Sequence, residues 1–281
     1  MGRFIFVFSQ VHVDFRRAEM ESICNLYGIT SEGNISLLCN QRHVYVFEFS
    51  SLDDVIVILS RSVLVKFAIE WIVSCNDYDE LYANIEERRH DIKDIGKALN
   101  FKESPVDLNN PCNTFYVIEE CHSNTLQRLH FGKLVGRGQG QLKSDYSLAE
   151  RCYIGNTTID PELSFLQANI AKVDTGSLVL DPFCGTGGLL IAAAHFGAAV
   201  VGSEINYQIA RAVGKSSRAG VKCNTAKESV AANFRQYGTD VYFMGLMIAD
   251  SSQHLLWRPG THSGTPPVFD AIITDRKFYF S

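Results

Sequence analysis

Apolar residues first gather in the run Phe4–Phe8, which reads as a strand over residues 4–9. Asp14 then stands where it would cap a helix whose apolar face is Phe15, Ala18, Ile23 and Leu26 and which Gly28 ends. Ile35–Cys39 and His43–Phe49 pattern as a hairpin. Its second arm sets His43, Tyr45, Phe47 and Phe49 on one face against Val44, Val46 and Glu48 on the other. Leu52–Ser60 has a helical period, Val63–Val73 suits one or two strands, and Tyr78–Arg89 reads as a polar helix capped by Asp77 or Asp79. Strands and helices in this order predict a small α+β domain.

The pattern changes after residue 177. Leu178–Asp181 is apolar on both faces and ends at an acid, as suits a parallel strand covered by helices on each side. A glycine turn follows, then an Ala/Leu-rich helix over roughly Leu189–Phe196. Ala198–Glu204, Val241–Ala249 and Phe269–Asp275 repeat the strand pattern, each delivering an acid at or just past its carboxyl end (Glu204, Asp250, Asp275). Helices over Tyr207–Ala219 and Glu228–Tyr237 lie between the second and third. This alternation predicts an open parallel sheet that binds its ligand at the strand tips.

Within 281 residues there is room for two domains, each with its own core. A net charge of −5 gives no global positive field, so nucleic-acid contact would have to come from local clusters. Eight cysteines occur without a C-x-x-C pair, which argues for reduced thiols in an intracellular protein and against a zinc or redox site; no metal is expected. The opening apolar run is too short for a signal-peptide core, and Phe6 occupies the position where myristoylation needs Ser or Thr. No membrane segment is expected, and the histidines, scattered without ligand spacing, read as structural or surface residues.

The glycine turn narrows the chemistry. It lacks the spacing and the lysine of a phosphate-binding loop, and Gly185, Gly187 and Gly188 do not match the dinucleotide pattern. An acid precedes the turn at Asp181, and Glu204, 23 residues later, is placed to accept both hydroxyls of a ribose. An acid beside open backbone suits a ligand that carries an ammonium group and no phosphate, a description that S-adenosylmethionine fits. Cys184, with no base spaced to serve it, reads as a small residue packed beside the ligand.

The run Asp181-Pro182-Phe183-Cys184-Gly185-Thr186-Gly187-Gly188, followed by Gly202-Ser203-Glu204-Ile205-Asn206, resembles the cofactor motifs of class I nucleic-acid N-methyltransferases. Upstream, Tyr153–Asp160 and Leu163–Asn169 resemble the start of that domain in THUMP-type tRNA (guanine-N2) methyltransferases, which act on the guanosine at tRNA position ten. The resemblance implies an α/β fold: a class I (Rossmann-like) methyltransferase sheet, C-terminally incomplete, with an N-terminal α+β THUMP-like domain. Residues 1–121 would form the RNA-binding region, 122–147 a linker, and 148–281 the methyltransferase domain with its first four strands. S-adenosylmethionine would be bound by Asp181, Phe183, Gly185, Gly187, Glu204, Asp250 and Ser251, the last two near the adenine. Asp275 would accept hydrogens of the target amine and Phe278 would stack on the base. Residues 122–151 hold five basic side chains against two acids, and 209–235 hold six against one. Arg151, Arg211, Lys215 and Arg218 are therefore expected on the RNA. The partners implied are tRNA and a small zinc-binding activator subunit, in the cytoplasm.

The pattern breaks at the end. The family continues its fourth acid with Pro-Pro and an aromatic residue, whereas Asp275 is followed by Arg276-Lys277-Phe278 and the chain stops three residues later. A shortened form of the enzyme is the expectation. Two other readings stay open: a catalytically inactive RNA- or protein-binding module, and a DNA or ribosomal-RNA N-methyltransferase, because D-P-F-x-G-T-G is shared among such enzymes.

Overall fold

A computed structural model describes residues 1–31, 35–38, 42–88, 111–213, 228–252 and 267–275. The chain divides into two units, Met1–Gln139 and Gly140–Ser281.

In the first unit, strand β1 (Gly2–Phe8) pairs antiparallel with both β2 (Val44–Phe49) and β3 (Val65–Cys75). Strands β4 (Phe115–His122) and β5 (Thr125–Arg137) complete a five-stranded sheet of order β2-β1-β3-β5-β4. They are joined by Ser123-Asn124, both at positive φ (49° and 61°), a two-residue turn whose twist matches that of the strands. Alternation along β1 sends Phe4, Phe6 and Phe8 to one face, where helices α1 (Arg16–Tyr27) and α2 (Leu52–Arg61) cover them with Met20, Ile23, Val55 and Ile58. Phe6 meets Phe47 edge to face with ring centres 5.4 Å apart. The buried Glu19 carboxylate of α1 accepts bonds from the Ser62 hydroxyl and the Val63 and Leu64 amides, which satisfies the turn between α2 and β3. Helix α3 (Tyr78–Arg88) follows β3 and covers Val73, Leu129 and Phe131 through Leu81.

Three expectations differ here. Ile35–Leu37 is a turn of 3₁₀ helix, and the arm read as its hairpin partner pairs with β1 instead. Alternation shows that a segment is a strand but not which strand it joins. Residues 122–147, expected as a linker, contain the whole of the longest strand, β5, and the short helix α4 (Leu142–Asp145). Glycines in this stretch serve close packing: a Cβ on Gly132 would lie 2.2 Å from the Glu70 carbonyl oxygen, and one on Gly138 1.9 Å from that of Val65. Third, the N-cap of α1 is Phe15, and Asp14 lies inside the short 3₁₀ turn before it, although Gly28 ends the helix in the left-handed region as expected.

The second unit holds a parallel sheet of β6 (Leu178–Asp181), β7 (Ala199–Glu204), β8 (Phe243–Ile248) and β9 (Ala271–Ile272), in the order β8-β7-β6-β9. The chain runs outward from β6 through β7 to β8, then crosses to the opposite side of β6 for β9. The strand order therefore reverses beside β6, and a crevice opens at the carboxyl ends there. Helix α5 (Pro161–Ile170) starts at Asp160, whose carboxylate accepts the Glu162 amide, and packs against α6 (Gly188–His195), which is apolar all round and buried accordingly. Tyr146 hydrogen-bonds His195 Nδ1 at 2.8 Å and packs edge-on to Phe165, a structural role for that histidine. The helix expected over Tyr207–Ala219 is a single turn, α7 (Tyr207–Ala210), and residues 214–227 lie outside the described residues. Helix α8 (Val230–Gln236) begins at Ser229, whose hydroxyl accepts the Ala232 amide. Among the described residues no helix is long and apolar enough to cross a membrane.

Helix α2 opens with a reciprocal capping box: the Ser51 hydroxyl accepts the Asp54 amide and the Asp54 carboxylate accepts the Ser51 amide, both at 3.1 Å. Ser51→Ala is expected to cost about 1 kcal/mol in urea unfolding. An unchanged midpoint would show that the box does not hold the helix.

Candidate active site

At the carboxyl end of β6 the backbone leaves the sheet at Asp181 and turns through Pro182–Gly187 into α6. Gly185 (φ 53°) and Gly187 (φ 86°) sit in the left-handed region, where a side chain would be strained. The Cys184 amide donates to the Ser203 carbonyl at 2.9 Å, which fastens the turn to β7, and the Gly187 amide closes back on the Cys184 carbonyl at 2.8 Å. Cys184 is buried. Burial raises its thiol pKa, and Asp181 and Glu204 add to the rise, so the side chain stays protonated and packs, as its setting in the sequence implied.

A cavity of about 590 Å³ opens above this turn. Its walls are the strap Tyr153–Ile159, the turn and start of α6, Glu204–Asn206 beyond β7, Ile209 of α7, and Asp275 beyond β9. Glu204 accepts the Gly185 amide at 3.0 Å through Oε2 and the Asn206 amide at 2.8 Å through Oε1, so both oxygens are oriented and each keeps a free lone pair. Asp181 is 2% exposed, and its Oδ1 accepts the Phe183 amide at 3.0 Å. Desolvation drives its pKa up to about 7, Glu204 and Asp275 push the same way, and the Phe183 amide and Thr274 hydroxyl pull against them.

The expected site residues divide as follows. Asp181, Phe183, Gly185, Glu204 and Asp275 come together on the cavity wall, and Gly187 shapes the turn immediately behind it. Asp250 is not on that wall: its Oδ1 accepts the Ser252 amide (2.9 Å) and hydroxyl (2.7 Å), so it caps the turn after β8. The Ser251 hydroxyl donates to the Pro182 carbonyl at 2.8 Å and lies 3.1 Å from Ser203 Oγ, tying the end of β8 to the glycine turn. Arg151, expected on the RNA face, is 1% exposed. Its guanidinium lies over the Tyr237 ring and donates to the Tyr146 carbonyl at 3.2 Å, so the aromatic cluster has drawn it inward. Arg211 is exposed, while Lys215, Arg218 and Phe278 lie outside the described residues. Among the residues that sequence reasoning missed is Asn233, which is fully buried and bonded to both the strap and the turn. Its only signal was an amide three positions after Val230, on the apolar face of a helix.

Two family models match the chain: a Tmrp11 THUMP N-terminal domain over residues 2–104 and an RMKL-like methyltransferase domain over 149–251. The tRNA (guanine(10)-N(2))-methyltransferase TRMT11 of Pongo abelii is 32% identical over 314 residues, covering 99% of this chain and 66% of that protein. The tRNA (guanine(10)-N(2))-methyltransferase of Saccharomyces cerevisiae is 28% identical over 292 residues, covering 91% and 64%. The chain belongs to the THUMP-type tRNA (guanine-N2) methyltransferase family. It spans 66% of the length of the Pongo abelii relative. Among solved structures, TrmN from Thermus thermophilus aligns over 98% of this chain and 79% of its own at 15% identity, with a TM-score of 0.48. Asp181 and Glu204, the acids expected from the motif, both lie on the cavity wall.

The buried Asp181 carboxyl carries a pH signature. Its pKa is higher folded than unfolded, so the folded state holds the extra proton between about pH 4 and pH 7. Stability from this group is full below the unfolded value and is lost as pH rises through the folded one, with each tenfold change in proton affinity worth about 1.4 kcal/mol. Thermal unfolding of the ligand-free chain should therefore show a fall in stability from pH 4 to 7 that Asp181→Asn flattens. Parallel profiles for the two proteins would place Asp181 in water.

Proposed function

We propose that this chain binds S-adenosylmethionine in the cavity at the tip of β6 and methylates the exocyclic N2 of guanosine, at position ten of tRNA. The observation that carries the reading is the convergence of Asp181, Glu204 and Asp275 on one cavity where the strand order reverses. The residues suit the donor. A Cβ added to Gly185 would meet nothing within 4 Å, so the space over the turn belongs to the cavity and is open to a ligand. The volume lies in the range of small-molecule sites. The donor supplies an electrophilic methyl group on a sulfonium sulfur.

Each wall then has a task. Asp181 holds the ammonium of the methionine end, Glu204 accepts the ribose hydroxyls through its free lone pairs, and Phe183, 41% exposed, offers an apolar ring to the ligand. Asp275 stands at the carboxyl end of β9, exposed and on the cavity wall, where its oxygens can accept the hydrogens of the guanine amine and sharpen a lone pair otherwise delocalised into the ring. Phe278 would stack on the base. Ser251 acts by bracing the turn, and Asp250 would reach the adenine from the turn after β8, where its Oδ1 caps Ser252.

The THUMP domain and the exposed Arg211 each support tRNA as the partner, through contacts with its phosphates. The cytoplasm, where reduced cysteines persist, fits the same reading. A small zinc-binding activator subunit is favoured by the edge strand β8, which leaves Met244 (66%) and Ile248 (41%) exposed.

Titration calorimetry with S-adenosylhomocysteine should give micromolar binding that Asp181→Ala and Glu204→Ala each abolish, and unchanged affinity in both variants would end the donor reading. Labelled methyl groups should pass from the donor to tRNA bearing a guanosine at position ten. Donor binding without transfer would favour a binding module that has lost its chemistry.

A further inference from the structure

Among the described residues, three connections fasten the strap Tyr153–Ile159 to the rest of the cavity wall. The first is a single buried amide. Asn233, on α8, is 0% exposed and makes three hydrogen bonds. Its Oδ1 accepts the Tyr153 amide at 2.8 Å, and its Nδ2 donates to the Tyr153 carbonyl at 2.7 Å and to the Thr186 carbonyl at 3.2 Å. One side chain thus pairs with both backbone groups of a strap residue while holding a carbonyl of the glycine turn. The second connection joins Thr158 Oγ1 to Thr186 Oγ1 at 3.1 Å, and Thr158 also closes its own loop by accepting the Gly155 amide at 2.9 Å. The third is the Tyr153 hydroxyl, which donates to the Ile209 carbonyl of α7 at 2.9 Å.

We propose that Asn233 is a positioning residue for the donor: without touching it, the side chain sets the separation between the strap and the glycine turn, and hence the fit of the cavity. The reasoning is geometric. The strap carries no helix or strand between Arg151 and Asp160, so it has no ladder of its own to define its path. Its course over the cavity is fixed by the side-chain bonds it makes. Asn233 is the one described residue bonded by its side chain to both the strap and the turn from inside the core, where water cannot substitute for a lost partner. Helix α8 is itself seated on the turn, since a Cβ on Gly187 would lie 3.0 Å from Val230 Cγ1 and 3.5 Å from the Phe234 ring. The amide is therefore presented by a rigid element. An isosteric aspartate would place a carboxylate oxygen against two carbonyl oxygens and keep only the Tyr153 amide as donor. Removing the amide leaves a buried N–H and two carbonyls unmet.

This inference rests on the donor reading, and its test separates the two. Full-length wild type, Asn233→Leu, Asn233→Asp and Thr158→Val are compared by calorimetry with S-adenosylhomocysteine and by amide hydrogen exchange without ligand. The expected result is an affinity loss of at least about tenfold for either Asn233 variant and a smaller loss for Thr158→Val. Exchange should quicken over residues 153–158 and 185–187, while protection in residues 1–139 stays as in wild type. A change confined to stability would raise exchange throughout the second unit and leave the affinity of the folded fraction intact, and that outcome overturns the proposal. Wild-type binding matched by every folded variant overturns it alone. A wild type that does not bind S-adenosylhomocysteine overturns the donor reading and this inference together. Should the Asn233 variants fail to fold, Thr158→Val decides: weaker binding with faster strap exchange supports the proposal, and unchanged binding overturns it.

Discussion

A carboxyl group kept out of water at the tip of a parallel strand is the constraint around which the second unit is arranged. Asp181 belongs to β6, an inner strand of the sheet, and β7 and β9 flank it. Burial makes its charge costly, and the neighbouring acids Glu204 and Asp275 raise that cost. One backbone amide is too little to offset it. A cationic ligand would lower that cost. The same feature explains the bare turn that follows: left-handed glycine backbone at 185 and 187 lets a ligand approach a carboxyl group that side chains would otherwise cover.

The rest of the unit holds the surroundings of that group in place. Strand register sets Gly202 beside Asp181, which brings Glu204 level with the turn, where it accepts the Gly185 amide. Ser251 and the Cys184 amide brace the turn from the β7 and β8 side, and Asn233 braces it from α8. The helix that leaves the turn, α6, is apolar on every side, so its position is fixed by packing and the turn inherits that rigidity. The geometry of such a cavity depends on supporting bonds as much as on the groups that line it.

Much of this was legible in the residues. Parallel strands buried on both faces read as continuous apolar runs, and an acid at the end of each run marks the ligand edge, so Asp181, Glu204 and Asp275 could be placed before any coordinates. Asp250 followed the same rule but caps its own turn, because an acid after a strand serves capping as readily as binding. Arg151 shows the limit of counting charges: a basic residue in a basic stretch looks solvated, and nothing local announces the aromatic cluster that buries it. Strand β5 was hidden by its glycines, which look like a linker until the neighbouring backbone is seen within 2.2 Å of where a side chain would start. The pairing of β2 with β1, and the role of Asn233, depend on partners 37 or more residues away, and no local period encodes those.

The central claim is that Asp181 is largely protonated in the free chain at mildly acid pH and ionised when a cation occupies the cavity. Calorimetry of S-adenosylhomocysteine binding at pH 6, in buffers of different ionisation enthalpy, reads this directly, and no histidine among the described residues lines the cavity to supply the proton instead. Release of close to one proton per ligand bound is the result this account predicts. Binding heats that do not depend on the buffer would contradict it.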